Sequence, residues 1–555
     1  MSILPAMPQE APHPEGVELL ELRVLDGPNR FFTRPAVKLE FGADEPGAAA
    51  RVAEAAGESV RDLHQRLDLA PPRLTMRHSA DGRRAVVAYP WRRRSIAQAI
   101  GAAASRLALG ASGEGRELRA LSVMALGPLA NLPNPRIPIV AVTGTNGKST
   151  TTRLLAHIAT RAGRKVGMTN SDGIYVRGEL VEAGDWTGYG GAARVLAEPG
   201  LDVAVLETAR GGILLRGIGY AANDVSVVTN VSADHLGLQG IDTLDELAEV
   251  KGAIVRITRR DGWAVLNAAD DRVWAMRRRT RAGIYAFSLD PAAPRVLETV
   301  AAGGRGAVLR DGWLVLLRPG RRALRLVPAA DAPVTFGGLS TFNTANALAA
   351  AAAADALGLP PARIRDGLRT FALDAAANPG RLNLFRRGER LAMIDFAHNE
   401  AGLTGLLDVC RHLVGGDGPR TDNGGKVRLA FGTAGDRSDE ILHNLGQIAG
   451  RGADEVVICE KRHYLRGRDL DAMNAILRRG VADAGYRREV PAYPTELAAL
   501  EALLSRTRRG DVAAIMAHAE RPEIFDWLER NRYRPVAGDE LRELLAGSPE
   551  AAAGG

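Results

Sequence analysis

The sequence predicts an α/β protein of three domains, and three observations support this class. Apolar runs of strand length alternate with helical segments in residues 137–376, which is the pattern of a mostly parallel sheet covered on both faces. Strand–turn–helix units recur in residues 377–543 and predict a second open, Rossmann-like domain. Residues 17–130 mix strands and helices without that alternation, so we expect a separate N-terminal α+β module there.

The length and composition suit a globular protein with several cores. Cys410 and Cys459 are the only cysteines of the chain, too few for a disulfide framework and not spaced as a metal site. Neither a signal-peptide pattern nor an uninterrupted apolar run of membrane-spanning length occurs. We therefore expect a cytoplasmic protein that is not associated with a membrane.

The basic residues of the chain argue for chemistry rather than for nucleic-acid binding. A net charge of +7 leaves a nucleic-acid partner as an alternative, but the bases are spread along the chain among 65 acids, which favours a solvated surface. More informative is that six lysines stand against 66 arginines. Lysine alone offers a compact amine that can become neutral and nucleophilic, so Lys148 and Lys251 mark places where an amine is needed.

The N-terminal module shows no nucleophile or metal-ligand spacing of its own. Its predicted elements are strands at 17–27, 36–42 and 83–91 and helices at 47–67 and 95–109. Residues 131–138 have the proline and asparagine content of a linker.

The stretch from 137 to 162 has the order strand, glycine loop, helix. Two glycines let the loop curl so that its N–H groups point at an anion, and the helix start adds partial positive charge. Lys148 can neutralise the β- and γ-phosphates of ATP, and Ser149 can offer its hydroxyl to Mg²⁺. A glycine-rich turn before a core helix is the alternative, which the full context disfavours. The predicted nucleotide-binding residues here are Gly144, Thr145, Asn146, Gly147, Lys148, Ser149 and Thr150.

Two later strands of the central domain end on polar side chains. Residues 201–212 deliver Glu207 and residues 224–237 deliver His235. Ligands of open α/β sheets collect at the carboxyl ends of the strands, so we expect both to join Ser149 in a Mg²⁺ site. Taken singly, each has a simpler interpretation, because a strand-end glutamate is usually a surface residue and a histidine is more often a satisfied side chain than a ligand.

Two helices of the central domain carry further candidates. The pattern predicts a helix over 243–260 with Lys251 in its apolar register, where a lysine can also simply extend to the surface. A second helix, 340–358, places Asn343 and Asn346 on one face by i, i+3 spacing, able to hydrogen-bond a nucleotide.

The C-terminal domain begins near Arg381 and repeats the strand–turn–helix pattern. The first turn holds Asp395, His398 and Asn399, and a later turn holds Asp436 and Arg437. The domain lacks G-x-G-x-x-G, so dinucleotide binding is not supported.

With these motifs in place, residues 137–543 resemble the Mur ligases, and most closely the Mur-ligase part of the cyanophycin synthetases. The phrases that carry the resemblance are TGTNGKSTTTRLLAHI, LETARGGIL, NPGRLNLF, DFAHNEAGL and AGDRSDE. LDGPNRFF in the first module is similar to the N-terminal domain of the cyanophycin synthetases. Val142 stands where a general P-loop has glycine, and T-G-T-N-G-K-[ST] is instead the form found in Mur ligases. Departures from the family are Ala269 for an acid and Glu400 for a proline.

The resemblance implies an ATP- and Mg²⁺-dependent ligase that joins a carboxylate to an amine through an acyl-phosphate. It places Asn343 on ATP, Arg381 near the γ-phosphate and Asp395 on the ribose. It also implies that Lys251 is carbamylated, a reaction that a neutral amine can undergo and an arginine cannot. The catalytic residues would be Lys148, Glu207, His235, Lys251 and Arg381, and the substrate-binding residues Thr169, Asp172, Arg210, His398, Asn399, Asp436 and Arg437.

The expected substrates are an arginine-like amino acid and a carboxylate-bearing peptide that contains aspartate. The cyanophycin synthetases carry an ATP-grasp domain after the N-terminal part, and Ala130 here runs almost directly into the P-loop domain, so a separate ATP-grasp protein is a possible partner. A homo-oligomer is also possible. Two alternatives stay open: a folylpolyglutamate-synthetase-like ligase, and an ATP-gated, non-catalytic subunit of a separate synthetase.

Overall fold

The computed structural model describes residues 16–134, 136–233, 236–415, 425–536 and 538–546. It contains a four-stranded, an eleven-stranded and a seven-stranded sheet, which follow one another along the chain. The predicted α/β class is therefore confirmed. Within the described ranges, no helix combines the length and the apolar character that crossing a membrane requires.

The N-terminal unit is a four-stranded antiparallel sheet with helices packed on it. Its elements are β1 (Val17–Leu25), β2 (Ala36–Ala43), α1 (Ala48–Arg66), β3 (Thr75–His78), β4 (Arg84–Pro90), α2 (Arg94–Ala108) and α3 (Glu114–Ser122). The strand order is β1-β2-β4-β3. Residues on one face of β2 and β4 are fully buried against α1 and α2, which closes a core of its own.

The central unit holds the largest sheet. Its strands are β5 (Ile139–Thr143), β6 (Val166–Thr169), β7 (Gly173–Val176), β8 (Glu179–Ala183), β9 (Val203–Glu207), β10 (Asn223–Val228), β11 (Thr258–Asn267), β12 (Gly283–Ser288), β13 (Arg305–Arg310), β14 (Trp313–Leu317) and β15 (Leu324–Pro328). Its helices are α4 (Lys148–Arg161), α5 (Tyr189–Leu196), α6 (Arg210–Leu215), α7 (Leu244–Lys251), α8 (Ala253–Arg256), α9 (Asp271–Ala275), α10 (Pro294–Ala301), α11 (Thr341–Ala356) and α12 (Pro361–Thr370).

Strand order explains why the middle of this sheet is apolar throughout. The order is β15-β14-β13-β12-β11-β10-β5-β9-β6-β7-β8, and β13 through β6 pair in parallel. Helices cover both faces of a parallel sheet, so β5 and β9 are buried at every residue. Antiparallel pairs at both ends were not predicted.

The C-terminal unit is a seven-stranded sheet of order β20-β19-β18-β21-β17-β16-β22. Its strands are β16 (Asn383–Arg387), β17 (Arg390–Asp395), β18 (Val427–Phe431), β19 (Glu455–Cys459), β20 (Ala492–Tyr493), β21 (Val512–Met516) and β22 (Arg534–Pro535). Its helices are α13 (Glu400–Leu413), α14 (Asp439–Gly452), α15 (Leu470–Asp483), α16 (Glu496–Arg506), α17 (Arg521–Arg530) and α18 (Asp539–Ala546). The strands from β20 to β17 are parallel, as the Rossmann-like prediction requires.

The predicted helix over 243–260 is too long. Helix α7 ends at Lys251, α8 adds one turn to Arg256, and Thr258 already begins β11. Residues of β11 pair with both β10 and β12, so sheet pairing takes over a run whose local pattern still suggests a helix.

Candidate active site

The glycine loop between β5 and α4 packs closely against two neighbouring elements. Gly144 and Gly147 have positive φ angles of 153° and 82°. A Cβ atom on Gly144 would lie 1.8 Å from Thr229 Oγ1, and one on Gly147 would lie 2.1 Å from Asn346 Oδ1. Only glycine fits at both positions, which lets the loop backbone lie directly against the end of β10 and against α11.

Helix α4 begins directly after this loop, and its N-cap, Gly147, has no side chain to bond the first-turn N–H groups. These groups and the helix dipole form a site for an anion. Lys148 is the first residue of α4, and its Nζ donates to the Thr145 carbonyl at 2.7 Å. The ammonium group therefore lies over the loop, where it can meet phosphate oxygens.

The two predicted asparagines of α11 lie together beside the loop. Asn346 Nδ2 donates to Asn343 Oδ1 at 3.0 Å, and both residues are buried. The Nδ2 atom of Asn343 has no hydrogen-bond partner within the described ranges of the chain. A buried amide donor left open at this place suits a ligand that brings an acceptor.

Glu207 ends β9 at the carboxyl edge of the sheet and is 3% exposed. Its Oε2 atom has no hydrogen-bond partner among the residues that the structure describes. Burial raises the pKa of Glu207, although the charge of Lys148 and a hydrogen bond from Ser149 each act to lower it. An acid whose ionised form is so poorly compensated is suited to a cation that binds beside it.

The oxygen atoms around Glu207 fit a hard divalent metal. Ser149 Oγ lies 3.3 Å from Ser171 Oγ, and Ser149 helps to lower the pKa of Glu207, so its hydroxyl lies near the carboxylate. His235, the third predicted ligand, lies outside the described residues. In the described ranges there is no group of three or more His, Cys, Asp or Glu side chains that could hold a metal.

Glu207→Gln is expected to stabilise the protein free of nucleotide and metal by about 1–3 kcal/mol at pH 8, because the amide removes a buried charge that lacks a full set of partners. Since the folded-state pKa of Glu207 lies above its usual 4.5, the wild type loses stability as the pH rises from 4.5 through the raised value. The glutamine variant should lack that loss. Thermal unfolding in EDTA across pH 4–8 measures both, and a Tm difference independent of pH would contradict the expectation.

Lys251 contacts the backbone of the glycine loop. It is the last residue of α7 and is 4% exposed, and its Nζ donates to the Gly144 carbonyl at 2.6 Å. The alternative of a lysine that extends to the surface does not describe this buried side chain. The amine therefore lies next to the glycine loop.

The C-terminal unit contributes the end of β17 and the turn that follows it. Asp395 accepts from the backbone N–H groups of Leu382 at 2.8 Å and of Ala397 at 2.7 Å. Burial raises the pKa of Asp395, although the charge of Arg381 favours the carboxylate. The Arg381 guanidinium lies 4.2 Å from the centre of the Phe396 ring. Asp395 thus already shapes this turn, and its predicted contact with a ribose stays a prediction.

One pair of amides joins the two units directly at the loop. Asn399 Nδ2 donates to Asn146 Oδ1 at 2.9 Å, and Asn146 Nδ2 donates back to Asn399 Oδ1 at 3.2 Å. Asn399 also caps α13 by accepting from Gly402 at 3.0 Å. Asn146 and Asn399 therefore hold the glycine loop against the start of α13.

Asp172 lies at the same junction, between arginines of both units. Its carboxylate accepts from Arg153 at 3.0 Å and from Arg521 at 2.9 Å. Burial alone would raise the pKa of Asp172, but the charges of Arg521, Arg381 and Arg153 hold this pKa below its usual value. These contacts indicate a part in joining the units, whereas the sequence suggested only substrate binding.

Asp172→Asn is expected to lower the free energy of unfolding by about 3 kcal/mol at pH 7, because it leaves partly buried guanidinium groups without their counter-charge. The effect should vanish as the pH falls below 3.8 through the depressed pKa, where the wild-type carboxyl is also neutral. Urea unfolding measures the difference. The control, Asp311→Asn, removes an exposed partner of Arg325 and should change stability by less than about 0.5 kcal/mol; equal effects would contradict the assignment.

The remaining predicted substrate residues lie in four places. Thr169 ends β6 and is paired in register with Leu206, next to Glu207. Arg210 begins α6 and donates to the Leu238 carbonyl at 2.9 Å. His398 lies in the turn of Asp395, and Thr433 donates to its carbonyl at 3.4 Å. Asp436 and Arg437 follow β18, where Arg468 donates to the Arg437 carbonyl at 2.8 Å.

Sequence reasoning missed the residues after β21. Glu496 accepts backbone N–H groups of His518, Ala519 and Glu520 and pairs with the buried Lys461. This arrangement holds the segment that leads to Arg521, whose guanidinium also stacks 5.1 Å from the Phe396 ring centre. The available signal was that β21 is another parallel strand whose carboxyl end must face the junction.

Two family models match consecutive parts of the chain. Residues 142–354 match the Mur ligase middle domain, and residues 380–518 match the Mur ligase glutamate ligase domain. The first covers the glycine loop, Glu207 and Lys251, and the second covers the turn of Asp395.

Curated relatives agree with these models. The cyanophycin synthetase of Crocosphaera subtropica is 40% identical over 384 residues, which is 68% of this chain and 42% of that protein. The UDP-N-acetylmuramoyl-L-alanyl-D-glutamate–2,6-diaminopimelate ligase of Corynebacterium efficiens is 27% identical over 388 residues, 68% of each chain. The chain thus spans about two fifths of the length of the cyanophycin synthetases that it matches.

Solved structures support the fold. E. coli FolC in complex with DHPP and ADP aligns with a TM-score of 0.52 and 19% identity, over 72% of this chain and 90% of that one. A bifunctional folylpolyglutamate synthase/dihydrofolate synthase with Mn, AMPPNP and L-glutamate bound gives 0.51 and 19%, over 72% and 91%. From its two consecutive domain matches and this fold, the chain belongs to the Mur ligase family, whose members are ATP-dependent carbon–nitrogen ligases.

Proposed function

We propose that this protein is an ATP-dependent acid–amino-acid ligase that forms an amide bond through an acyl-phosphate. The observation that carries the proposal is the uncapped, glycine-lined phosphate loop with Lys148 over it and an orphaned Glu207 carboxylate oxygen beside it. Both features are understandable if the site receives a phosphate and a cation together.

In the first step an oxygen of the acceptor carboxylate attacks the γ-phosphorus of ATP, and ADP leaves. The loop amides and Lys148 hold the phosphate oxygens, and Asn343 and Asn346 offer amide groups to the nucleotide. Arg381 lies at the junction and would face the γ-phosphate, with Asp395 near the ribose. Ser149, Glu207 and His235 would hold Mg²⁺, which when bound neutralises charge on the phosphates.

In the second step the incoming amine, having lost a proton, attacks the acyl carbon, and inorganic phosphate leaves. Catalysis by this chain is positioning and charge stabilisation, so it needs no covalent nucleophile. The junction residues Asn399 and Asp172 keep the C-terminal unit, which would hold the amine, next to the phosphate loop. The substrate contacts that we propose are Thr169, Asp172, Arg210, His398, Asn399, Asp436 and Arg437.

We propose further that Lys251 acts as a carbamate. Its Nζ lies beside the loop carbonyl of Gly144 in a site with almost no solvent access. A carbamate there would be an anion beside the loop and would orient a metal or the acyl-phosphate.

For substrates, we propose an arginine-like amino acid and the side-chain carboxylate of an aspartate-containing peptide. The 40% identity to a cyanophycin synthetase supports this assignment. The protein would work in the cytoplasm, where ATP and Mg²⁺ are plentiful, alone or as a homo-oligomer, with a separate ATP-grasp protein to supply the peptide.

A matrix of acceptors and amines tests the proposal. Phosphate release from ATP should need both an aspartate-containing peptide and a basic amino acid, and the product should be an amide of the two by mass spectrometry. A poly-aspartate primer with aspartate alone should not be lengthened. Release with a reduced folate and glutamate would support a folylpolyglutamate-synthetase-like ligase, toward which the FolC fold similarity points. No release with any pair would overturn the ligase.

A further inference from the structure

The N-terminal unit is joined to the central unit through the segment of residues 26–32 that follows β1. The backbone N–H of Asp26 donates to the Arg216 carbonyl at 2.7 Å, and the N–H of Ile218 donates to the Pro28 carbonyl at 2.7 Å. A Cβ atom on Gly27 would lie 1.8 Å from the Ile218 carbonyl oxygen. The two backbones therefore touch, and the contact fixes where residues 29–32 lie on the central unit.

From this segment Arg30 reaches helix α7. Its Nη2 atom lies 3.1 Å from Glu249 Oε2 and 3.5 Å from Glu246 Oε1, and its side chain is 6% exposed. Arg77 of β3 holds the other oxygen of Glu249 at 2.9 Å. Two arginines of the N-terminal unit thus grip one carboxylate on a helix of eight residues.

Helix α8, which follows α7, also contacts the N-terminal unit. Arg256 of α8 donates to the Arg30 carbonyl at 2.9 Å and also to the Asn29 carbonyl. The segment α7–α8 is therefore bound to the N-terminal unit at two places, the last turn of α7 and the end of α8, by side chains that are mostly buried.

Helix geometry connects this grip to the phosphate loop. Glu249 and Lys251 are two positions apart, which is about 200° around an α-helix, so they point to opposite sides. Glu249 faces the N-terminal unit, and Lys251 faces the Gly144 carbonyl, 2.6 Å from its Nζ. Because one short helix carries both side chains, a rotation or shift of α7 would move the Lys251 amine as well.

We propose that the N-terminal unit is a positioning element of the ligase site, in which Arg30, acting through Glu249, sets the place of the Lys251 amine on the phosphate loop. The inference rests on the proposed function for its effect on turnover, while its structural part concerns Lys251 alone. Arg30 touches neither substrate nor nucleotide and is a positioning residue.

The test compares Arg30→Met with Arg94→Met. Arg30→Met removes the guanidinium yet leaves Glu249 paired with Arg77, so the variant is expected to fold. Arg94 pairs with Asp26 at 3.0 Å within the N-terminal unit, and no ion pair among the described residues joins it to α7, so it is the control. If Arg30→Met fails to fold, Arg30→Gln, which keeps a polar side chain but loses the charge and the reach to Glu249, takes its place.

The first readout does not depend on catalysis. Labelling with an amine-specific reagent in buffer depleted of CO₂, where a carbamate on Lys251 would revert to the amine, is followed by peptide mass spectrometry, which reports the six lysines of the chain separately. Arg30→Met should label Lys251 at least fivefold faster than the wild type, with Lys148 unchanged as an internal reference. Wild-type labelling of Lys251 in Arg30→Met would overturn the positioning role, whether or not the ligase proposal holds.

The second readout is the division between kcat and KM in ligation. Arg30→Met should lower kcat roughly 10- to 100-fold, the scale of an ångström-sized misplacement, while KM for ATP changes less than about threefold. Arg30→Lys, which restores a charge to Glu249, should recover most of kcat, and Arg94→Met should match the wild type. If turnover of Arg30→Met equals that of Arg94→Met, Arg30 has no positioning role in catalysis; if the wild type itself has no ligase activity, only the proposed function fails.

Discussion

Lys148→Ala is expected to lower ligase turnover by roughly 10²- to 10³-fold, because it removes a preorganised positive charge from the phosphates in the transition state. The KM for ATP should rise as well, since the same ammonium lies over the loop in the ground state. Steady-state phosphate release at varied ATP concentrations measures both parameters. Glu207→Ala should lose turnover on the same scale through the loss of its carboxylate beside Ser149.

The control for this pair is Lys165→Ala, which removes an exposed lysine that follows α4. It should keep wild-type kinetics and Tm. Near-wild-type ligation by Lys148→Ala or Glu207→Ala would remove the glycine loop from the mechanism, and the ligase proposal would lose the observation that carries it.

Lys251→Arg is expected to be as inactive as Lys251→Ala, each with a loss of roughly 10²- to 10³-fold. Arginine keeps a positive charge but cannot form a carbamate at neutral pH, because its guanidinium does not lose its proton. Turnover of both variants, measured beside the wild type with and without added bicarbonate, decides the matter. The wild type should respond to removal of CO₂ and recover on its return.

A short carboxylate offers a more specific control. Acetate or formate can place an anion in the space left by Lys251→Ala and should restore part of its turnover, but not that of Lys251→Arg, whose longer side chain fills a site that is only 4% exposed in the wild type. Full activity of Lys251→Arg would rule out the carbamate and leave a hydrogen bond to Gly144 as the function of this residue.

The parts of the site that could be predicted are those set by local sequence. The order of strand, glycine loop and helix around Gly144, Gly147 and Lys148 is a local pattern, and the structure has it. Parallel strands predict that their carboxyl ends meet, which is why Glu207 was expected at the same edge. The i, i+3 spacing of Asn343 and Asn346 likewise follows from helix geometry alone.

The parts that could not be predicted depend on contacts between distant segments. Arg521 meets Asp172 across 349 positions of sequence, and Arg30 meets Glu249 across 219. The periodicity of a sequence does not predict such a pairing, because the pairing depends on how the folded units pack against each other. The end of the helix after Lys251 has a related cause, since pairing of Thr258 and later residues with a neighbouring strand outweighs their local preference.

The junction at the phosphate loop combines a neutral contact with a charged one, and this determines how the protein responds to ionic strength. The amide pair of Asn146 and Asn399 carries no net charge, so dissolved salt leaves it unchanged. The pair of Asp172 and Arg521 retains some solvent access and weakens as the Debye length falls from about 10 Å at 0.1 M to about 3 Å at 1 M. Concentrated salt would therefore weaken the charged side of the junction while the amide pair at the loop holds.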